Sequence, residues 1–421
     1  MTSGPPGTTG PPGTVGPPDA PPRLPREIWV LVCAAFLVAV GYGLVAPALP
    51  TFARSFHVGI TAATAVISAF ALFRLGFAPV SGRLVNALGE RRVFLLGVGI
   101  VALSTGACAV AQTYWQLLLF RALGGIGSTM FSVSSVSLLL RMAPPAGRAR
   151  ASGLWSTGFL LGGVTGPLFG GGLVAVSLRA PFVVYAVALV LCATATGLLL
   201  RRSALSGRIP GGGVSGTSVR AALRTRAYRG ALAASFANGW AVNGVRIALV
   251  PLFVVEGLHE QPSWAGFALG AFAVGDMGTL LLAGRWADRR GRRRPLLAGL
   301  LVTAGVTAVL GVSGSLPLFL VGSLLGGVGS GMLVPAMNAT VADVIGGRGR
   351  GGPVLAGFQM VSDLGAILGP VLTGLVVEHA SYGTAFALAG LVAVAAWAVA
   401  VRAPETLGQP PVATPMSEPT R

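Results

Sequence analysis

Gly82-Arg-Leu-Val-Asn86-Ala-Leu-Gly89 and Gly284-Arg-Trp-Ala-Asp288-Arg-Arg-Gly291 are two versions of one octapeptide, 202 residues apart. Two further pairs keep that register. Leu123-Gly-Gly-Ile-Gly-Ser128 returns as Leu325-Gly-Gly-Val-Gly-Ser330 at the same offset, and Gly166-Pro167 returns as Gly369-Pro370 at 203. One glycine-rich match is weak, but three in one order at a nearly constant offset mean a duplicated unit. Around these segments the 421-residue chain is 53% hydrophobic and only 10% charged, with a mean hydropathy of +0.77. A soluble domain carries about 25% charged residues, so water is not the main solvent of this chain.

The charged residues cluster between apolar stretches of about 20 residues, the length that crosses a hydrocarbon core of about 30 Å as a helix. In lipid every backbone polar group needs an internal partner, which long apolar runs supply as helices. Membrane β-strands would alternate over about 10 residues instead. Spans are expected near 28–50, 62–84, 93–111, 115–139, 151–177, 181–200, 229–256, 263–285, 295–313, 316–342, 352–378 and 381–402. The fold class is therefore all-α integral membrane, with twelve transmembrane helices in two pseudo-symmetric six-helix bundles. Residues 26–200 and 229–403 form the bundles, 201–228 a flexible Arg/Gly/Ser-rich linker, and 404–421 a cytoplasmic tail. Residues 1–25 are Pro/Gly-rich and lack the apolar run of a signal peptide. Gly4, Gly7, Gly10, Gly13 and Gly16 keep a period of three, but so short a collagen-like tract reads as a disordered tail.

A net charge of +18 would suit nucleic acid if the basic residues formed a patch on a soluble fold. Here they lie in short loops, so no nucleic-acid partner is expected. All 30 basic residues are Arg. With the N-terminus inside, Arg54 and Arg179 are the outside arginines, Arg74, Arg121 and Arg246 lie within spans, and the remaining 25 of 30 are cytoplasmic. That bias sets orientation and places both termini in the cytoplasm of a multi-pass plasma-membrane protein. Cys33, Cys108 and Cys192 fall within spans and read as buried small residues. Neither their spacing nor the scattered His57, His259 and His379 suggests a metal or a disulfide, and no cofactor is expected. A chain without lysine has no G-x-x-x-x-G-K-[ST] ATP loop, and no Ser/His/Asp constellation points to an enzyme.

From Ile28 to Arg402 the chain resembles the major facilitator superfamily, in particular its twelve-span drug:proton antiporters. The loop after span 8 is similar to the family's G-x-L-a-D-r-x-G-r-r signature, with Gly284, Asp288, Arg289, Gly291 and Arg292 in place. The loop after span 2 keeps Gly82, Gly89 and Arg91, but Asn86 replaces Asp, Ala87 replaces Arg, and Glu90 stands where the family has a basic residue. The resemblance implies a cytoplasmic latch, its carboxylate meeting Arg and the free N–H groups of a helix N-terminus. Topological anchoring by the loop arginines is the alternative. Arg121-Ala-Leu-Gly-Gly125-Ile-Gly127-Ser128 is similar to R-x-x-q-G-x-g-a, whose Arg the family links to proton transfer. An Arg inside a span either faces the bundle interior or snorkels outward. Gly162, Gly166, Pro167, Gly170 and Gly171 are similar to g-x-x-x-G-P-x-x-G-G, the motif associated with exporters. Small residues at this spacing admit a neighbouring helix, and the proline bends the span.

Arg74 and Asp276 occupy repeat-equivalent positions, Arg246 lies in span 7, and Asp363 lies in span 11. Burial penalises an ionised carboxylate and a nearby Arg favours it. Asp276 is thus the leading proton carrier, Asp363 the second, with Arg121, Arg246 and Arg74 as counter-charges. The superfamily arrangement sets span 2 beside span 11 and span 5 beside span 8, which implies an Arg74–Asp363 pair between the halves. It also implies a central cavity lined by spans 1, 4, 7 and 10. Tyr42, Met130, Phe131, Asn238, Trp240, Asn243, Met332, Met337 and Asn338 are its candidate lining, suited to a bulky apolar ligand. The expected partners are a small-molecule substrate, protons and the bilayer, and the protein is expected to be a monomer. The expected function is secondary active, proton-coupled efflux of a lipophilic small molecule, a drug or secondary metabolite. Proton-coupled uptake of a nutrient is the alternative, which the span-5 motif argues against. A sensor without flux is a third, which would fit better with a large extra soluble domain.

Reporter fusions after residues 54, 179 and 260 should read as external, and fusions near 90, 147, 215 and 291 as cytoplasmic. Alkaline phosphatase and fluorescent-protein activities make the comparison, and one reversed loop would break the twelve-span order.

Overall fold

The computed structural model describes residues 24–143, 148–199, 219–345 and 352–408. Residues 201–218, most of the expected linker, lie outside that set, as do the N-terminal tract up to residue 23 and the end of the chain from residue 409. Among the described residues there is no strand, and twelve helices are long and apolar enough to cross a membrane. Spans 1 to 6 are Arg26–Val45, Ile60–Leu88, Glu90–Ala109, Tyr114–Leu139, Arg150–Val176 and Ala180–Leu199. Spans 7 to 12 are Arg226–Gly257, Ser263–Arg290, Arg293–Leu310, Leu316–Ile345, Pro353–His379 and Tyr382–Ala400.

The ends of these helices follow local chemistry. Span 1 stops at Val45 rather than near residue 50, and a separate short helix, Leu49–Arg54, follows. Pro47 and Pro50 lack the N–H groups that a continuous helix would need there. Spans 4 and 12 begin at capping boxes, Thr113 with Gln116 and Ser381 with Thr384, which satisfy orphan N–H groups reciprocally. The chain described before span 7 is helical rather than loose: Val219–Arg224 is a short helix, and the buried Tyr228 donates to the Val354 carbonyl at 2.7 Å. Cys108 and Cys192 are buried as expected, but Cys33 is exposed on span 1.

Packing repeats between the halves. Span 1 lies against spans 5 and 6, span 3 against 4 and 6, and span 2 against 4. Six spans later, 7 lies against 11 and 12, 9 against 10 and 12, and 8 against 10. Spans 2 and 11, and spans 5 and 8, join the halves. The span-5 glycines are placed for close approach. A Cβ on Gly162, Gly166 or Gly170 would collide with the carbonyl oxygens of Phe36, Val40 or Leu44 on span 1. Gly171 instead meets Ser263 and Gly266 of span 8, so one motif serves two interfaces. Gly365 and Gly369 repeat the arrangement against Phe236 and Trp240 of span 7.

The octapeptides that reveal the duplication are mostly helical. They extend spans 2 and 8 to Leu88 and Arg290, and the chain turns at Gly89 (φ 83°) and Gly291 (φ 101°). Only glycine takes that conformation without strain. Just past each turn a charged residue reaches the end of the helix two spans on. Glu90 pairs with Arg141 at 2.8 Å, and Arg292 with Asp343 at 3.1 Å. Glu90 and Arg292 are repeat-equivalent, and so are Arg141 and Asp343. The same bridge is therefore built twice with its charges exchanged.

Glu90 is only 5% exposed, and removing one partner of a buried pair costs about 3–5 kcal/mol. Glu90→Arg and Arg141→Asp should each lower the melting temperature of the purified protein. The double variant, which copies the polarity of the second half, should recover most of the loss.

Candidate functional site

A cavity of about 210 Å³ lies between the halves, with walls from spans 1 to 7 and span 11. Its aromatic wall is Tyr42, Phe70, Phe131, Phe159 and Tyr185; its neutral polar groups are Ser128, Ser132, Asn243 and Gln359. Tyr185 donates its hydroxyl to the Val38 carbonyl at 3.2 Å. Asn243 rides on a π-helical stretch, Gly239–Val245, a local unwinding that recurs at functional sites. Among the described residues, three charged side chains reach the cavity: Arg74, Arg121 and Asp363. Arg74 and Asp363 form the expected bridge between the halves at 2.9 Å. Arg121 is 6% exposed, so it points inward rather than snorkelling. Its guanidinium lies 4.1 Å from the centroid of the Phe70 ring and 5.6 Å from that of Tyr42, and its Nε has no hydrogen-bond partner.

Of the nine lining residues expected from the sequence, Tyr42, Phe131 and Asn243 line this cavity. Met130 packs instead with Val85 and Val93, Trp240 lies buried beside Phe236, and Met337 belongs to the core of the second half. Asn238 is buried with Oδ1 unpartnered, Met332 is half-buried, and Asn338 is exposed. Among the described residues, span 10 contributes nothing to the cavity. The cause is helical phase, since a shift of one residue turns a side chain by 100°. Phe70, Phe159, Tyr185 and Gln359 were missed. Phe70 and Gln359 each sit one turn before a charged residue already singled out, Arg74 and Asp363, and i,i+4 positions share a face.

Toward the face opposite residues 24 and 408, further bonds join the halves. Arg54 Nε meets Glu256 Oε1 at 2.7 Å across the halves, and within the second half the Tyr382 hydroxyl donates to Glu256 Oε2 at 2.8 Å. Arg54 and Glu256 are 202 residues apart, so this pair links equivalent points of the two repeats. Thr61 donates to Glu378 through its backbone N–H at 3.0 Å and its hydroxyl at 2.7 Å. Ser68 donates to the Ile367 carbonyl at 2.6 Å. Among the described residues, the hydrogen bonds between the halves lie from Arg74–Asp363 toward that face.

Arg246 and Asp276 lie inside the second half. The Arg246 guanidinium is 3.6 Å from the Phe272 ring centroid, and Phe272 is the repeat equivalent of Phe70. Arg246 is near enough to interact electrostatically with Asp276; Arg121, lining the cavity, is not its partner. Asp276 Oδ1 and Arg246 Nε are buried without hydrogen bonds. Arg246 also borders a void of about 30 Å³ with Thr303 and Ser323, whose hydroxyls lack partners.

The expected latch is corrected in one respect. Asp288, with its side chain 72% exposed, pairs with Arg292 at 3.2 Å and with no other described residue. The carboxylate on the N-terminus of span 9 is that of Glu405, which accepts from Arg292 N at 2.7 Å and Arg293 N at 3.1 Å. Partial burial raises the Glu405 carboxyl, but four backbone donors, from Leu407, Arg292, Arg293 and Thr406, outweigh it and hold it below its ordinary range. Asp288 sits on the helix before the turn, whereas Glu405 arrives from beyond span 12 directly over Gly291. Asn86 is exposed, and in the first half Glu90 provides the charge that it lacks. Arg91 donates to the Gly197 carbonyl at 2.8 Å, while Arg289 borders an open pocket with Arg285, Trp286 and Arg290. Gly82 and Gly284 lie on the helices with room for a Cβ.

The chain is similar to transporters of known kind. It is 29% identical over 157 residues to "Quinolone resistance protein NorA" of Staphylococcus aureus, covering 37% of this chain and 40% of that one. It is 28% identical over 172 residues to "Multidrug resistance protein 1" of Bacillus subtilis, covering 41% and 44%. These matches span less than half the length of either relative. Two solved structures share the fold. One is a bacterial homolog of the human lysosomal transporter Spinster, inward-facing and unoccupied, with a TM-score of 0.69 at 19% identity over 89% of this chain and 94% of that one. The other is a POT family transporter in complex with a thioalcohol-conjugated peptide, with 0.75 at 12% over 90% and 96%. Residues 31–260 and 231–419 match the model of the Major Facilitator Superfamily. With twelve spans, a repeat of six and a family match over most of its length, the chain belongs to the Major Facilitator Superfamily.

Proposed function

We propose that the protein is a secondary transporter of the cell membrane that exports a lipophilic small molecule from the cytoplasm in exchange for protons. The observation that carries this reading is the cavity of about 210 Å³ walled by both halves, with the bonds between those halves gathered on one side of it. Two repeat-related bundles around a shared site are suited to rocking between two openings. The arginine bias supports a cytoplasmic position for the chain ends, so the cavity faces the cytoplasm while the Arg54–Glu256 and Thr61–Glu378 contacts close the outside. Outward opening breaks these contacts along with Arg74–Asp363. Similarity to one protein of quinolone resistance and one of multidrug resistance supports export of a drug-like molecule.

Proton coupling is assigned to Asp276. Its carboxylate is held inside a span with one oxygen unpartnered and Arg246 close by. Movement toward Arg246 favours the ionised form, and movement away favours the protonated form. A cycle that alters that separation loads and releases one proton.

Cells expressing the protein should accumulate less of a lipophilic dye than cells without it, and a protonophore should abolish the difference. Efflux indifferent to the proton gradient, or greater uptake on expression, would overturn the reading. Asp276→Asn keeps size and hydrogen bonding but removes titration. In everted vesicles it should lose proton-driven transport and retain substrate binding; unchanged pH-dependent transport would sink the assignment to Asp276.

A further inference from the structure

We infer that the cavity takes an organic anion, a flat apolar body bearing a carboxylate or similar acid group that sits on Arg121. This inference rests on the transport reading only in taking the cavity as the substrate site.

The charge inventory points there. Arg74, Arg121 and Asp363 are the charged groups lining the cavity, and Arg74 and Asp363 neutralise each other at 2.9 Å. Arg121 remains. It is 6% exposed, it is in none of the ion pairs among the described residues, and its Nε is without a hydrogen bond. Three other acids of the described helices have partners of their own: Glu256 has Arg54, Glu378 has Thr61, and Asp276 has Arg246 close by. A guanidinium cannot shed its proton to escape this situation. The Phe70 and Tyr42 rings, 4.1 and 5.6 Å away, offer it π faces in partial compensation. A buried, incompletely paired cation favours the entry of an anion, and a guanidinium matches a carboxylate with two parallel N–H bonds.

The rest of the wall describes the remainder of the ligand. Phe131, Phe159 and Tyr185 complete an aromatic enclosure with Tyr42 and Phe70, which suits a planar apolar body. Ser128 stands two helical turns along span 4 from Arg121 and also lines the cavity, where it can meet a neutral polar substituent. Among the described lining residues the one carboxylate, Asp363, is engaged by Arg74, so an ammonium ligand would meet the like charge of Arg121 and be repelled.

The test compares three ligands of one shape, 2-naphthoate, 2-naphthamide and 2-naphthylmethylammonium, by calorimetric titration of the protein in nanodiscs at neutral pH. The acid should bind at least about tenfold more tightly than the amide, as expected for charge-assisted hydrogen bonds, with the ammonium weakest. Arg121→Gln should bring the acid down to the affinity of the amide and leave the amide within about twofold, while Arg121→Lys should keep part of the preference. Binding of the ammonium as tight as that of the acid would overturn the inference, as would undetectable binding of the acid or an acid affinity unchanged in Arg121→Gln. Should Arg121→Gln fail to fold, the ranking on the unaltered protein still decides. Intact proton-driven efflux with an ammonium-preferring cavity would sink this inference and leave the transport reading standing. A clear acid preference with no flux in vesicles would do the reverse.

Discussion

Charge inside a membrane span must be compensated by the protein, because lipid supplies no solvation. That constraint organises the structure. Arg74 and Asp363 bring spans 2 and 11 together, and Arg54 and Glu256 tie equivalent points of the two repeats. Glu90 with Arg141, and Arg292 with Asp343, hold span 3 to span 4 and span 9 to span 10. The pairs within a half are fixtures that any motion of that half carries along. The pairs between halves are the ones a rocking motion has to break. Arg121 and the Arg246–Asp276 couple are the incompletely compensated charges, and the proposed substrate and proton roles rest on them.

Duplication gives this chain a set of sockets more than a set of residues. Position 90 and position 292 hold opposite charges, as do 141 and 343, yet both bridges form. An arginine lies over the ring of Phe70 and another over that of Phe272, but they come from span 4 in one half and span 7 in the other. His57 and His259, again repeat-equivalent, both adopt positive φ. Backbone geometry has been kept while side-chain chemistry diverged. The outcome is a division of labour, with the cavity mostly in the first half and the unpaired carboxylate oxygen of Asp276 in the second.

Close packing depends on the backbone in the same way. Glycines at four-residue spacing on span 5 lie against the carbonyl oxygens of span 1, and Gly171 turns the other side of span 5 toward span 8. Without a hydrophobic drive between helices in lipid, such close approach supplies the contact. A bulkier residue there would disturb the interior of one half or the interface between halves, according to the face it occupies.

Apolar length, arginine placement and the 202-residue repeat are properties of the chain, and they determined the twelve spans, their order and the two-fold plan before any contact was known. The Arg74–Asp363 pair followed too, once the resemblance supplied the neighbourhood of spans 2 and 11. The cavity wall did not follow. Each helix turns 100° per residue, so its phase, and with it the choice of Phe70, Phe159 and Tyr185 over Met130, Trp240 and Met337, is set by packing among helices. Nor did the substitution of Glu405 for Asp288 at the start of span 9 follow from any motif. It needs the chain to return from 113 residues away, and only the tertiary structure decides which of two nearby carboxylates reaches the free N–H groups.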